Sequence, residues 1–290
     1  MRYQITHKTI YEYAEPVTVS HNSARLKPAG GQQQRLSEFE LRISPQPDRM
    51  SERTDYFGNA QAIFSIRELH TRMEVCATSR VEVQQQTPPV ATLSPVWKSV
   101  AARFRDPVSP ENAEAYEYCM DSPMVRRNQE FADWARASFS DSTTLLSGTA
   151  QLMTRLFSEF QFDAEATEVA TPLLEVWRTR RGVCQDFAHI AIACLRSLGL
   201  PARYVSGYLR TIPPPGQPRL QGADASHAWI STYCPVNGWT DFDPTNNLIP
   251  SDSHVRVAIG RDYSDVSPLI GVLSGGGSHI VRVEVDVVPE

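Results

Sequence analysis

Cys184 sits within RRGVCQDFAH (residues 180–189), directly after an Arg-Arg-Gly break and at the leading edge of an apolar run. A cysteine kept only for packing would fit anywhere inside that run, yet this one opens it. CQDFAHIAIACLRSLGL has helical spacing and stops at Gly199 with Pro201 beyond, which places Cys184 in the first turn of a helix. Unpaired backbone N–H groups and the positive end of the helix dipole favour a thiolate there, and thiolate is the form that attacks a carbonyl carbon. The same N–H groups are placed to hold the oxyanion of such an attack. The competing account is a small apolar residue that begins a buried helix.

A thiolate nucleophile calls for an imidazole base and a third group to orient it. In SHAWIST (226–232), a period of two puts His227, Trp229 and Ser231 on one face. In GWTDFDPT (238–245), Trp239, Asp241 and Asp243 share a face, and Pro244 holds Asp243 extended. A two-residue turn at Asn237-Gly238 would set His227 across from Leu248. A five-residue loop from Tyr233 to Asn237 sets it across from Asp243, with Trp229 across from Asp241. The sequence therefore predicts the wider loop and makes Asp243 the orienting acid.

Other residues are weighed against this set. Trp229 and Trp239 are candidates to line an acyl pocket or shield the ion pair from water, or else to pack in the core. Gln185, next to the thiol, is a candidate substrate contact with plain surface as its alternative. Asp186 is expected to cap the helix or to pair with Arg180 or Arg181. His189 projects about 140° away from Cys184 around the helix, which removes it as a base. No metal is expected: Cys184, His189 and Cys194 fall on different helix faces, and no Cys-x-x-Cys pair exists. His7, His21, His70, His254 and His279 lack motif context and are expected to be surface or ordinary packing.

The elements that must position these groups follow from periodicity. RYQITHKTIYEYA alternates with Tyr3, Ile5, Tyr11 and Tyr13 on one face, and SEFELRI with Phe39, Leu41 and Ile43. Gly58-Asn59 marks a turn before the run Ala62, Phe64, Ile66. These define an antiparallel β domain over 1–90, closed by QQQTPPV. Residues 91–290 hold a helical segment, the catalytic core and a terminal strand after a glycine hinge. Ser109-Pro110 and Thr171-Pro172 read as helix starts, and Gly182 as a helix end with positive φ. The Pro/Gly-rich loop 212–224, just ahead of His227, is expected to contact substrate.

Gly182-Val183-Cys184-Gln185-Asp186-Phe187-Ala188, His227-Ala228-Trp229, and Gly238-Trp239 with Asp243-Pro244-Thr245 together resemble the Cys, His and Asp motifs of the transglutaminase-like core superfamily. The nearest likeness is to its bacterial branch of cysteine-protease-like proteins, and the motifs span about residues 150–250. Asp55-Tyr56-Phe57-Gly58-Asn59 similarly resembles the β-rich region that precedes the core in that branch. The resemblance implies Cys184 as nucleophile, His227 as general base and acid, and Asp243 as orienter. It implies an α+β, papain-like fold with the cysteine helix packed on an antiparallel sheet. It also implies a cofactor-independent enzyme acting on a peptide or protein substrate. Animal transglutaminases carry tryptophan directly after the cysteine, where this chain has Gln185, so hydrolysis is favoured over transamidation as the second step. The alternative of another class is a binding scaffold that has kept the fold without turnover.

Composition bounds the rest. With 290 residues, 41% hydrophobic and 21% charged, the chain has the make-up of a soluble globular protein of up to two domains. A net charge of −5 with scattered basic residues gives no reason to expect nucleic acid or an anionic membrane as partner. No apolar stretch is long enough for a membrane span and no export signal is visible, while the five cysteines form an odd, widely spaced set. A cytoplasmic setting is expected; the sequence sets no oligomeric state.

Overall fold

The computed structural model describes residues 1–105, 110–211 and 225–290. The expected Ser109 cap and the loop 212–224 lie outside the described residues. Strands β1 (Arg2–Ala24), β2 (Gln34–Ser44), β3 (Arg49–Thr54), β4 (Ala60–Ile66) and β5 (His70–Val83) form an antiparallel sheet. β4 and β5 run end to end against the long β1, with β2 paired to β5 and β3 to β4. The alternating apolar residues named above supply its buried face: Tyr3, Ile5, Phe64 and Ile66 are each at most 1% exposed.

A helical segment follows: α1 (Trp97–Arg103), α2 (Pro110–Glu117), α3 (Gln129–Arg136) and α4 (Leu145–Glu159). The short parallel pair β6 (Gln161–Phe162) and β7 (Arg181–Gly182) brackets α5 (Leu173–Thr179) and leads into α6 (Cys184–Ser197). A second antiparallel sheet is built from β8 (Ala202–Leu209), β9 (Ala225–Cys234), β10 (Gly238–Phe242) and β11 (His254–Gly260), in the order β10-β9-β8-β11. From Asp186 to Arg196 every residue of α6 is buried, as a helix apolar on all sides must be. It packs on β9 and β8, where Tyr204, Ala228 and Ile230 face it. The fold class is α+β, as expected.

After α7 (Tyr263–Val266), the terminal strands β12 (Leu269–Gly275) and β13 (His279–Pro289) pair with β1 along the flank opposite β4 and β5. The first sheet is thus assembled from both ends of the chain, and the end strand belongs to it by hydrogen bonding. Two carboxamides dock this sheet on β11. Asn59 donates to Ile259 O at 2.8 Å and accepts from Ile259 N at 2.9 Å; Gln34 does the same with Arg256 at 2.7 and 2.8 Å. Each side chain imitates a strand neighbour, which is what buried backbone groups of an edge strand require. Among the described residues no helix is long and apolar enough to cross a membrane.

Candidate active site

The position of Cys184 is set by α6 and the turn before it. Asp186 reaches back so that its Oδ2 accepts from the N–H of Val183 at 2.8 Å, closing the helix start. The same oxygen accepts from Thr167 Oγ1 at 2.6 Å, and Gln185 Nε2 donates to Val169 O at 3.3 Å, so both side chains after the thiol tie down the preceding segment. Asp186 therefore caps rather than pairing with arginine, and Gln185 is engaged with its own chain. Burial pushes the Asp186 carboxyl above its usual range, opposed by the hydrogen bonds from Thr167 and Val183.

Gly182 does not end α5. Arg180 takes the left-handed position instead, at φ 57°, with its guanidinium spread over the Trp177 ring at 3.8 Å. Gly182 lies in β7, and a Cβ there would meet Asp186 Oδ2 at 2.5 Å. Glycine is needed for the close approach of the cap, not for a turn. The α5 start likewise differs: Pro172 holds the cap position, while Thr171 Oγ1 accepts from Glu168 N.

The hairpin carrying the other two groups is tighter than the sequence predicts. Its loop is three residues, 235–237, and pairing begins at Gly238↔Cys234. Gly238 has φ +71°, the positive-φ glycine that closes a three-residue hairpin. The register moves by two residues, so Asp241 lies across from Ser231 rather than Trp229, and the ladder ends at Phe242↔Ile230. An even shift keeps every side chain on its face. His227 and Asp243 thus meet diagonally, with His227 Nε2 2.8 Å from Asp243 Oδ2. The Cys184 thiol is within hydrogen-bond reach of the same imidazole.

Asp243 is wholly buried, and its hydrogen bonds explain how a carboxylate survives there. Oδ1 accepts from the N–H groups of Thr245 and Asn246, while Oδ2 accepts from Asn246 Nδ2 at 2.8 Å and His254 Nε2 at 3.1 Å besides His227. Burial alone would raise its pKa, but the hydrogen bonds from His227, His254 and Asn246 and the charge of His227 hold it well below the carboxylate range. For His227 the balance has the opposite sign. Burial would lower its pKa, but the hydrogen bonds and charges of Asp243 and Cys184 outweigh this and raise it from 6.5 to about 10.

His254 and Asn246 are the functional neighbours that sequence reasoning missed. His254 begins β11 and reaches Asp243 only through tertiary folding, without a local motif. Asn246 had a legible signal, an amide three residues after an aspartate held extended by proline. The donor atoms of His227, Asp243 and His254 lie within 4.8 Å of one another, a grouping able to hold a metal ion, although each is already spent on the hydrogen bonds above.

Trp229 is 1% exposed and walls the imidazoles from solvent, its ring centroid 5.2 Å from His254 and 6.2 Å from His227. Its Nε1 donates to Asp241 Oδ2 at 3.0 Å, and Ser231 donates to the other carboxylate oxygen. Gly207 makes room for that indole: a Cβ there would meet Trp229 Cη2 at 2.6 Å and Val255 O at 2.1 Å. Trp239 is half-buried beneath Arg203 and packs edge-on with Tyr118 and Tyr233. His189 is buried with its Nε2 accepting from Tyr263 N at 3.1 Å, which fits its exclusion as a base.

A half-buried thiol at a helix start, an imidazole on an adjoining sheet and a buried carboxylate behind it define the class of papain-like α+β folds centred on cysteine. Residues 132–244 match the transglutaminase-like superfamily and residues 3–82 the bacterial transglutaminase-like N-terminal region. The chain belongs to the transglutaminase-like superfamily, in the branch whose core follows that N-terminal region. Uncharacterized proteins of Mycobacterium tuberculosis and Mycobacterium leprae are 36% and 32% identical; each alignment covers 99% of this chain, with 93% and 98% of the relative. The crystal structure of a "putative cysteine protease" from Cytophaga hutchinsonii is similar in fold, with a TM-score of 0.74 at 19% identity over 100% of this chain and 91% of that one. A protein-glutamine gamma-glutamyltransferase of Pseudomonas aeruginosa is 37% identical over 73 residues, 25% of this chain and 11% of that protein.

Proposed function

We propose that the chain is a thiol-dependent acyl-transfer enzyme that cleaves peptide, amide or isopeptide bonds through a Cys184-His227-Asp243 triad. The observation that carries this reading is the shared imidazole: His227 is held by buried Asp243 at 2.8 Å on one side and meets the Cys184 thiol on the other. With its pKa raised to about 10, His227 carries a proton at neutral pH, and the attacking species in this reading is the thiolate beside it. Cys184 Sγ attacks the carbonyl carbon, and the N–H groups that open α6 hold the oxyanion. His227 returns its proton to the leaving amine as the carbon–nitrogen bond breaks, leaving a thioester. Water attacks the thioester next, giving its proton to His227, and the acid leaves as the sulfur is released.

Hydrolysis and transamidation differ only in whether water or an amine meets the thioester. The short match to the gamma-glutamyltransferase supports keeping an amine acceptor as the second reading. Five free cysteines support a reducing, cytoplasmic setting for the reaction. The deciding experiment incubates the full chain with a peptide library and reads the mass of intact protein. An acyl adduct on Cys184, absent from Cys184→Ala and discharged by water, supports the hydrolase. Discharge only by added amine supports the transamidase, and no adduct across the library supports a scaffold without turnover.

A further inference from the structure

On the face of the second sheet turned away from α6, a cavity of about 610 Å³ is lined by Arg203, Arg256, Trp239 and Asp241, with glutamine pairs at 32–33 and 85–86 around it. Asp241 lies across from Ser231, four residues along β9 from His227, which is about 13 Å of strand. Neither Cys184 nor His227 lines the cavity, and the Trp229 indole, hydrogen-bonded to Asp241, stands between it and the imidazole.

Arg203 is the anomaly there. Its residue is 6% exposed, its guanidinium lies over the Trp239 ring at 4.1 Å, and its Nε is buried without a hydrogen-bond partner. Among the described residues neither Arg203 nor Arg256 is in a salt bridge. Among the described residues the other buried arginine, Arg196, shows what satisfaction looks like. Arg196 donates to the carbonyls of Tyr118, Ala202 and Arg261 and to Ser122 Oγ. Leaving a buried cation unmatched is strongly unfavourable, so such groups are normally paired. Burial lowers the Arg203 pKa to about 10; Asp241 opposes that fall and Arg256 adds to it.

We propose that this cavity is a second binding site, independent of the Cys184 chemistry, for a carboxylate carried on a peptide. Two guanidinium groups and one carboxylate leave a single positive charge in excess, which one carboxylate neutralises. A phosphate dianion would overshoot and crowd Asp241. The planar fork of arginine matches a carboxylate in two parallel hydrogen bonds. The glutamine amides offer donors and acceptors to flanking peptide groups. The volume falls within the ~300–1,000 Å³ usual for ligand sites.

The test uses the full chain carrying Cys184→Ala, which removes turnover, with calorimetric titration by three probes. These are acetyl-tetra-alanine as the free acid, the same peptide as its C-terminal amide, and acetyl-Ala-Ala-Glu-Ala-amide. Saturable binding of the free acid or of the glutamate peptide, with the plain amide at least about 10-fold weaker, is expected, and the tighter of the two identifies the carboxylate as terminus or side chain. Arg256→Gln, at a half-buried position, should weaken that binding by about 10-fold at an unchanged melting temperature; Arg203→Lys tests the buried partner. Equal binding of acid and amide overturns the proposal, as does no binding of either carboxylate up to about 10 mM. Inorganic phosphate that displaces the peptide or binds as tightly also overturns it. Any of these failures leaves the acyl-transfer reading untouched, because Cys184 takes no part.

Discussion

His227 and Asp243 meet at 2.8 Å although the strand ladder sets them two residues out of step. The contact is diagonal, a separation of about 7–8 Å between backbones that a histidine and an aspartate can bridge from the same face. In the proposed triad Asp243 orients the ring and holds its proton, so Asp243→Asn should keep the shape and lose the charge. The expected outcome is a fall of about 10³-fold or more in kcat, with the melting temperature changed far less than the rate. Steady-state kinetics beside a melt of the same sample make the check, and a kcat within about 10-fold of wild type would contradict the orienting role.

His254 and Asn246 both donate to Asp243, and in the proposed triad they serve that acid rather than the substrate. Hydrogen bonds to a buried carboxylate are each worth about 1.5–3 kcal/mol. His254→Ala should therefore lower kcat by about 10-fold or more while KM stays put, because the missing bond loosens the acid and leaves the binding surface alone. Asn246→Ala should do the same, since its Nδ2 donates to the same Oδ2 as His254 does. A change confined to KM in either variant would assign these side chains to substrate instead.

Reactivity of the thiol gives a test that needs no substrate. His227, with its pKa raised to about 10, is a cation at pH 6, and a cation beside sulfur favours the nucleophilic form. Iodoacetamide should label Cys184 at pH 6 at least about 10-fold faster than it labels free cysteine, and His227→Ala should erase that advantage. Equal rates with and without the imidazole would separate the thiol from the histidine and favour the scaffold.

How much of this was legible follows from what each signal depends on. Cys184 was readable because a glycine break before an apolar helical run is local, and so were the faces of the two strands, which depend only on alternation. The loop length was not. YCPVNG permits three or five residues, and the three-residue loop is decided by Gly238 accepting φ +71°. The error of two left the face of Asp243 intact, whereas an error of one would have turned it away. His254 and the return of β12 and β13 to β1 depend on contacts between residues far apart in sequence, for which periodicity carries no information. Gly182 was marked for the wrong reason: the sequence shows a glycine but not the carboxylate leaning over it.

The paired shifts at the site predict a pH profile of stability. His227 has its pKa raised in the folded state from 6.5 to about 10, so its contribution is complete below pH 6.5 and is lost as pH rises toward 10. Asp243 is lowered from 3.8, so its contribution is complete above that value and disappears as pH falls below it. The melting temperature should be highest near pH 6.5: it should decline on the alkaline side as His227 loses its proton, and on the acid side because burial lowers His7 and His189 from 6.5 to about 4, so that both take up protons more readily when unfolded. Each kcal/mol lost is worth about 2–4 °C at this chain length. His227→Gln should flatten the alkaline limb between pH 7 and 10, and an unchanged limb in that variant would place its origin elsewhere.

Gly182→Ala isolates the cap from the chemistry. The new Cβ would sit 2.5 Å from Asp186 Oδ2 and 2.9 Å from its Cβ, so the aspartate must leave the Val183 N–H and Thr167 or the turn must shift. Either response moves the first residue of α6, and a displacement of a reacting atom by about 1 Å can cost about 100-fold in rate. The expected result is a loss of that order in kcat together with destabilisation of about 1–3 kcal/mol from overpacking. Removing the carboxylate should reverse part of it: Gly182→Ala with Asp186→Ala loses the 2.5 Å contact, keeps only the 2.9 Å approach of the two Cβ atoms, and lacks the cap, at about 0.5–2 kcal/mol. The double variant should therefore be more stable than the sum of the two single losses predicts. Strict additivity in a denaturant titration of the four proteins would mean that the carboxylate and the glycine do not meet.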